Sequence, residues 1–234
     1  MTATSRPARS LAHVTDWVFD LDNTLYPREC NLFAQIDSLI TSYMMSVTSL
    51  DFDSARRLQK DYYRDYGTTL NGLMRQHAVD PDHFLNTVHA IDYSPVVAHP
   101  VLLEAIRALP GRKFILTNGD VGHARSVLGR LGGAGEVFED IFDIRAMSYR
   151  PKPLPEAYEA FFARHGIDAS RAAMFDDLEK NLKVPHEVGM TTVQVTAAEG
   201  FAHEQVEAWE LERTSGAHVH HVTADLAGFL SKLP

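Results

Sequence analysis

Short apolar runs that stop at polar or acidic residues constrain this chain more than any other feature. They are Trp17-Val18-Phe19 before Asp20, Phe114-Ile115-Leu116 before Thr117, and Ala173-Met174-Phe175 before Asp176, with Thr192-Val193-Gln194-Val195 and residues 219–222 completing the set. Runs apolar on successive positions suit strands covered on both faces, as in a parallel sheet. Helical patterns lie between them. Leu102, Leu103, Ile106 and Leu109 recur at helical spacing, as do Val121, Ala124, Val127, Leu128 and Leu131, and Tyr158, Phe161 and Phe162 follow Pro155. This alternation predicts an α/β fold built on a doubly wound, mostly parallel sheet. Ligands of such sheets bind outside the carboxyl ends of the strands. The polar residues just named fall at those ends.

One stretch breaks the alternation. Residues 27–95 contain no convincing buried strand. Leu32, Phe33, Ile36, Leu39, Ile40, Tyr43, Met44 and Val47 trace an amphipathic helix. Asp53 is placed to cap a second helix through Leu58, Tyr62 and Tyr66 that ends near Gly67. A third carries Leu70, Leu73 and Met74, and Asp80-Pro81 reads as an N-cap with proline opening a fourth. The expected organisation is a core of residues 1–26 and 96–234 with an inserted all-helical cap over 27–95.

Composition narrows the function. Across 234 residues the formal net charge is −9, which argues against a nucleic-acid polymer or an anionic membrane as partner. No apolar run reaches the roughly 20 residues of a membrane span. The start of the chain lacks the apolar region of a signal peptide, and the single cysteine, Cys30, excludes an internal disulfide. A cytoplasmic location is the expectation. Cys30 reads as a small core hydrophobe on a helical stripe.

Asp20 and Asp22 stand two apart at a strand end, so both point to one side and can converge. Alone, an Asp-x-Asp is equally good turn chemistry. So is Thr117-Asn118-Gly119, and a lone Asp of the pair Asp176-Asp177 would suit a helix N-cap. Lys152, between Pro151 and Pro153, would by itself be an ordinary surface lysine. Their joint occurrence changes the reading. The motif Asp-x-Asp-x-Thr at residues 20–24, the strand-end Thr117, Lys152 and the pair 176–177, in that order, resemble the haloacid dehalogenase superfamily of hydrolases. The helical insert sits where that family carries its cap.

The resemblance implies Asp20 as nucleophile, Asp22 as general acid and base, and Lys152, Thr117 and the Asn118 backbone as holders of the phosphoryl oxygens. It implies a metal site of Asp20, Asp176 and Asp177, with Asp22 contributing its main-chain carbonyl and Asp177 binding directly or through water. Crowded carboxylates need a cation to stay ionised, and an all-oxygen set favours magnesium over zinc. Family members that release halide need no acid and carry no Asp at the position of Asp22, so its presence points to phosphate esters of small metabolites.

The segment from Asp61 to Leu73 and residues 20–27 also resemble pyrimidine 5'-nucleotidase-like members, with Leu178 departing from the serine common there. Tyr62, Tyr63 and Tyr66 then have two readings, stacking on a base or packing between helices, with Tyr62 and Tyr66 the site candidates. Phosphoglycolate or sugar-phosphate hydrolysis, a sugar-phosphate mutase and a non-catalytic regulatory protein are the alternatives. Oligomeric state is not legible. His218, His220 and His221 read as structural, residues 132–135 as a helix C-cap and loop, and residues 197–217 as a surface excursion.

Overall fold

The computed structural model describes residues 9–133, 136–197 and 216–233. Six parallel strands form one sheet in the order β3-β2-β1-β4-β5-β6. They are β1 (Asp16–Phe19), β2 (Arg112–Leu116), β3 (Asp140–Phe142), β4 (Ala172–Asp176), β5 (Thr191–Val195) and β6 (His221–Thr223). Both faces are covered, and alternate side chains of the central strands go to opposite sides. Trp17, Phe19, Ile115, Ala173 and Phe175 join one apolar cluster with Leu102, Ile106, Val127 and Leu226. Val18, Phe114, Leu116, Ala172 and Met174 join the other with Tyr158 and Phe161. The helices supplying these partners are α5 (Pro100–Ala108), α6 (Val121–Leu131), α7 (Pro155–His165) and α9 (Leu226–Leu230), while the short α8 (Lys183–Glu187) adds the half-buried Val184 to the second cluster.

Strand β3 is absent from the sequence-based expectation. It has three residues at the sheet edge, with only Phe142 buried, so it lacks the continuous apolar run that marks a central strand. The last strand is likewise shifted to His221–Thr223 from the expected 219–222. Its three residues are half-buried or exposed, and an edge strand of mixed polarity gives a weak register signal.

Among the described residues, 27–95 hold helices and no strand. Helices α1 (Leu32–Thr48), α2 (Phe52–Tyr66), α3 (Thr69–His77) and α4 (Pro81–Val88) pack through Ile36, Tyr43, Met44, Ala55, Tyr62, Leu70, Leu73 and Phe84. The cap of α2 is Asp51, whose carboxylate accepts from Ser54 N, rather than Asp53. Asp53 lies one residue too far along and sits in the first turn. Asp80 caps α4 as expected.

Cys30 belongs to a short 3-10 turn, Arg28–Cys30, and is half-buried against the core. The three C-terminal histidines make local hydrogen bonds. The imidazole of His220 meets Thr192, His218 meets the Glu179 carbonyl, and His221 donates to the Arg9 carbonyl. Gly132 caps α6, whereas 134–135 and 198–215 lie outside the described residues. No helix among the described residues is long and apolar enough to cross a membrane.

Gly72, inside α3, explains how closely α2 and α3 approach. A Cβ there would lie 2.4 Å from Tyr62 Cγ. Alanine ordinarily stabilises a helix interior by about 1 kcal/mol relative to glycine. Gly72→Ala is expected instead to lower stability by about 1–3 kcal/mol, the typical cost of overpacking. A raised urea midpoint would show that the tyrosine ring does not press on α3.

Candidate active site

Register brings the polar strand ends together. Phe19 pairs with Ile115 on one side and Phe175 on the other. One step further along, Asp20 is level with Leu116 and Asp176, and Asp20 N donates to the Phe175 carbonyl at 2.8 Å. The chain then turns at once. Thr24 N and Leu25 N both donate to the Leu21 carbonyl, and Asn23 adopts φ 59°, a left-handed conformation asparagine tolerates. That turn returns Asp22 and Tyr26 to the rim.

Lys152 closes the group from a loop 132 residues away in sequence from Asp20. Its Nζ lies 2.8 Å from Asp20 Oδ1 and 2.7 Å from Asp176 Oδ2, and the residue is only 2% exposed. Its backbone is clasped by Asn118, which receives Lys152 N on Oδ1 at 2.8 Å and donates Nδ2 to the Lys152 carbonyl at 3.0 Å. The other oxygen of Asp176 accepts from Leu178 N and Asn181 Nδ2, both at 2.9 Å. Asp177 Oδ2 accepts from Arg28 at 2.7 Å. The Thr117 hydroxyl accepts from Gly119 N at 3.0 Å and lines the same space.

The electrostatics follow from crowding. Burial, with Asp176, Asp177 and Asp22 nearby, drives the Asp20 carboxyl well above its ordinary range despite Lys152. Burial and Asp176 raise Asp177 to about 7 against the pull of Arg28 and Lys152. Burial pulls the Lys152 ammonium down, but Asp176 and Asp20 outweigh it and hold it above the lysine range. Asp22 behaves oppositely. Burial pushes it up, while His123 and Tyr26 more than offset this and bring it to about 2.

Carboxylate oxygens of Asp20, Asp176 and Asp177 lie within 4.8 Å of one another. All are oxygen donors, and repulsion already raises two of the three. That donor set suits a hard divalent cation, whose charge relieves the repulsion.

A cavity of about 220 Å³ opens over these groups. Asp20, Asp22, Thr117, Asn118, Lys152 and Asp177 form its floor, and Phe33, Ile36, Ile40, Tyr63, Phe84 and Val88 belong to the helical side. Tyr62 and Tyr66 are not among its lining residues. Tyr62 packs on Gly72 and bonds His77, and Tyr66 accepts from Gln76 while stacking against Tyr62. On α2 a one-residue step rotates the side chain by about 100°, so the cavity receives Tyr63 instead. The Tyr63 hydroxyl also accepts from Lys180 at 2.7 Å.

Three functional candidates escaped the sequence reading. Tyr26 and His123 hold Asp22 at 2.5 and 2.7 Å, and Arg28 holds Asp177. Tyr26 had a usable signal, standing four residues after Asp22, close enough for one tight turn to bring the two together. His123 had a weaker one, in the first turn of the helix after a strand-end motif. Arg28 had none, because its partner is 149 positions away.

Residues 18–189 match the profile of a family described as haloacid dehalogenase-like hydrolase. The chain is 28% identical over 206 residues to Phosphate metabolism protein 8 of Saccharomyces cerevisiae, covering 79% of this chain. It spans 60% of that protein's length. Among solved structures it resembles CbbY from Rhodobacter sphaeroides in complex with phosphate, at TM-score 0.61 and 15% identity over 92% of this chain and 95% of that one. It also resembles an L-2-haloacid dehalogenase from Xanthobacter autotrophicus carrying covalently bound chloropropionic acid. That match has TM-score 0.56 and 15% identity over 93% and 97% of the two chains.

The raised Asp177 sets a pH dependence with a definite sign. Its folded pKa of about 7 exceeds the ordinary 3.8, so the folded state binds the extra proton between those values. In metal-free protein this contribution to stability is complete below about pH 4 and lost as pH rises through about 7. A divalent cation held by these carboxylates would displace that proton, so its binding would tighten over the same window. Magnesium is expected to raise the melting temperature more at about pH 8 than at about pH 5, by calorimetry. An equal rise at both would refute the proton linkage.

Proposed function

From its membership of the haloacid dehalogenase-like hydrolases, to which the chain belongs, we propose that this enzyme hydrolyses phosphate monoesters of a small metabolite through an aspartyl-phosphate on Asp20. The observation that carries this is the convergence of Asp20 and Lys152 on the cavity floor, with Asp176 buried behind them against the Lys152 ammonium and Asp22 two residues beyond the nucleophile. A dehalogenase releases halide, which leaves without a proton. An ester leaves as an alkoxide and needs one, and a carboxyl beside the nucleophile supplies it.

In this reading Asp20 attacks phosphorus, and the bond to the ester oxygen breaks as Asp22 gives that oxygen its proton. Water then attacks the acyl phosphate while Asp22 takes a proton back, releasing phosphate and free Asp20. Lys152 and Thr117 hold the phosphoryl oxygens, joined by the Asn118 N–H, and their positive and dipolar groups match the charge of the transition state. Asp20, Asp176 and Asp177 are the residues that would hold magnesium, with the Asp22 carbonyl beside them. The bound ion supplies charge neutralisation at the phosphoryl group.

The helical segment of residues 27–95 acts as a cap that walls the leaving-group side of the cavity. Its apolar wall, Phe33, Ile36, Ile40, Phe84 and Val88 with Tyr63, favours a substrate with a flat or apolar body beyond the phosphate. Pyrimidine nucleoside 5'-monophosphates meet that description, with Tyr63 rather than Tyr62 or Tyr66 placed to stack on the base. A cytoplasmic location goes with this reading, and the net charge of −9 does not forbid a soluble anionic metabolite as partner, because a local cation dominates the field inside a pocket.

A phosphate-release screen with magnesium over UMP, CMP, purine nucleotides, phosphoglycolate and sugar phosphates tests the reading. Preference for phosphoglycolate or sugar phosphates would defeat the nucleotidase assignment alone. Asp20→Asn is expected to cut turnover by at least about 10³-fold with the fold intact by circular dichroism. Retained phosphatase activity in that variant would remove Asp20 as nucleophile.

A further inference from the structure

The acid–base carboxylate is held from outside the motifs discussed so far. Among the described residues both partners of Asp22 converge on Oδ1. Tyr26 donates its hydroxyl at 2.5 Å, and His123 Nε2 lies at 2.7 Å. His123 is 1% exposed, and its ring is locked on every side. At its far nitrogen Nδ1 stands the Tyr93 hydroxyl at 3.0 Å. That hydroxyl gives its one hydrogen to the His89 carbonyl at 2.9 Å, so toward His123 it accepts and Nδ1 carries a hydrogen. The Nε2–Oδ1 contact holds one further proton between imidazole and carboxyl.

The His89 ring stacks on His123 with centroids 4.5 Å apart and planes 18° apart. His89 in turn meets Asp120 Oδ2 at 3.1 Å, while Asp120 Oδ1 caps α6 by accepting from His123 N at 2.7 Å. A Cβ at Gly119 would lie 3.2 Å from the His123 ring and 3.7 Å from Asp22 Oδ2, so there is no room for the imidazole to shift toward the strand end. His89 and Tyr93 lie on the segment that leaves the last cap helix for the core.

We propose that His123 is the positioning residue for Asp22, and that Tyr93 and His89 set the imidazole so that the path of the chain out of the helical cap fixes where the acid points. The proposal rests on the phosphomonoesterase reading above. It assigns a role to a buried histidine, a tyrosine and a second histidine that the nucleophile, the phosphoryl holders and the metal ligands leave unexplained. A residue acting this way matters in proportion to how much the leaving group needs a proton.

That dependence separates positioning from mere support of the fold. The measurement is kcat/KM, which reports steps through loss of the leaving group, for an alkyl ester, glycerol 2-phosphate, against p-nitrophenyl phosphate, whose phenolate leaves without assistance. His123→Leu is expected to lose about 100-fold on the alkyl ester, within the usual range for general acid catalysis, and less than about 5-fold on the aryl ester. His123→Gln places an amide nitrogen near the position of Nε2 and is expected to recover about tenfold of that loss. Tyr93→Phe, which leaves the imidazole in place but frees Nδ1, is expected to show the same selectivity at roughly 3- to 10-fold.

Should His123→Leu not fold, the Gln and Phe variants carry the test. Equal losses on the two esters, or no loss on either in folded protein, overturn the proposal. Failure of the phosphatase reading looks different. Wild-type protein would then release phosphate from neither ester, or Asp20→Asn would retain the release.

Discussion

One buried ammonium lets carboxylates from two neighbouring strands stand side by side at the rim of the sheet. Lys152, itself 2% exposed, bridges Asp20 and Asp176 at 2.8 and 2.7 Å. Desolvating three charged groups is costly, and a pair or triad of this kind is held by geometry and additional hydrogen bonds. Those bonds are present. Asn118 grips the lysine backbone from the end of β2, and Asn181 and Leu178 N fill the remaining oxygen of Asp176. The arrangement therefore ties four distant segments together, and the cavity floor exists only where they meet.

Positive charge is short at this rim. Lys152 and Arg28 face Asp20, Asp22, Asp176 and Asp177, and burial raises both Asp20 and Asp177. A site left with surplus buried carboxylate is poised for a cation, which is the demand that phosphoryl transfer also makes. Asp22 stands apart from this shortage because His123 and Tyr26 stabilise its ionised form. Two carboxyl groups two residues apart thus have opposite environments, one short of cationic partners and one supplied with hydrogen-bond donors. The same fold accommodates an L-2-haloacid dehalogenase and a phosphate-bound protein, so the architecture alone does not choose the reaction. The side chains at the rim do.

Much of this was readable beforehand because it is local. The buried strands announce themselves as continuous apolar runs, the helices as stripes, and α4 by Asp80-Pro81. Asp20, Thr117 and Asp176 could be placed at strand ends because each follows a run whose direction in a parallel sheet is determined, whereas Lys152 follows no such run and was singled out only by the family resemblance. The misses have a common cause. Strand β3 is short and lies at an edge, so it carries little apolar signal. The choice of Asp53 over Asp51 as a cap is a shift within one turn, where local preference differs little. The selection of Tyr62 and Tyr66 over Tyr63 turned on helix rotation, which only the packing of α2 against α3 around Gly72 decides.

By itself the sequence determined the type of sheet, the positions of its buried strands along the chain, the helical insertion and the acidic residues at the strand ends, since hydrophobic period and strand-end residues act over a few positions. The tertiary structure alone decided that Arg28 pairs with Asp177, that His123 and Tyr26 share one oxygen of Asp22, and which tyrosine faces the cavity. Those choices depend on contacts between residues up to 149 positions apart. Nothing in a local pattern specifies such a partner, because it is set by where two independently formed elements come to rest against each other.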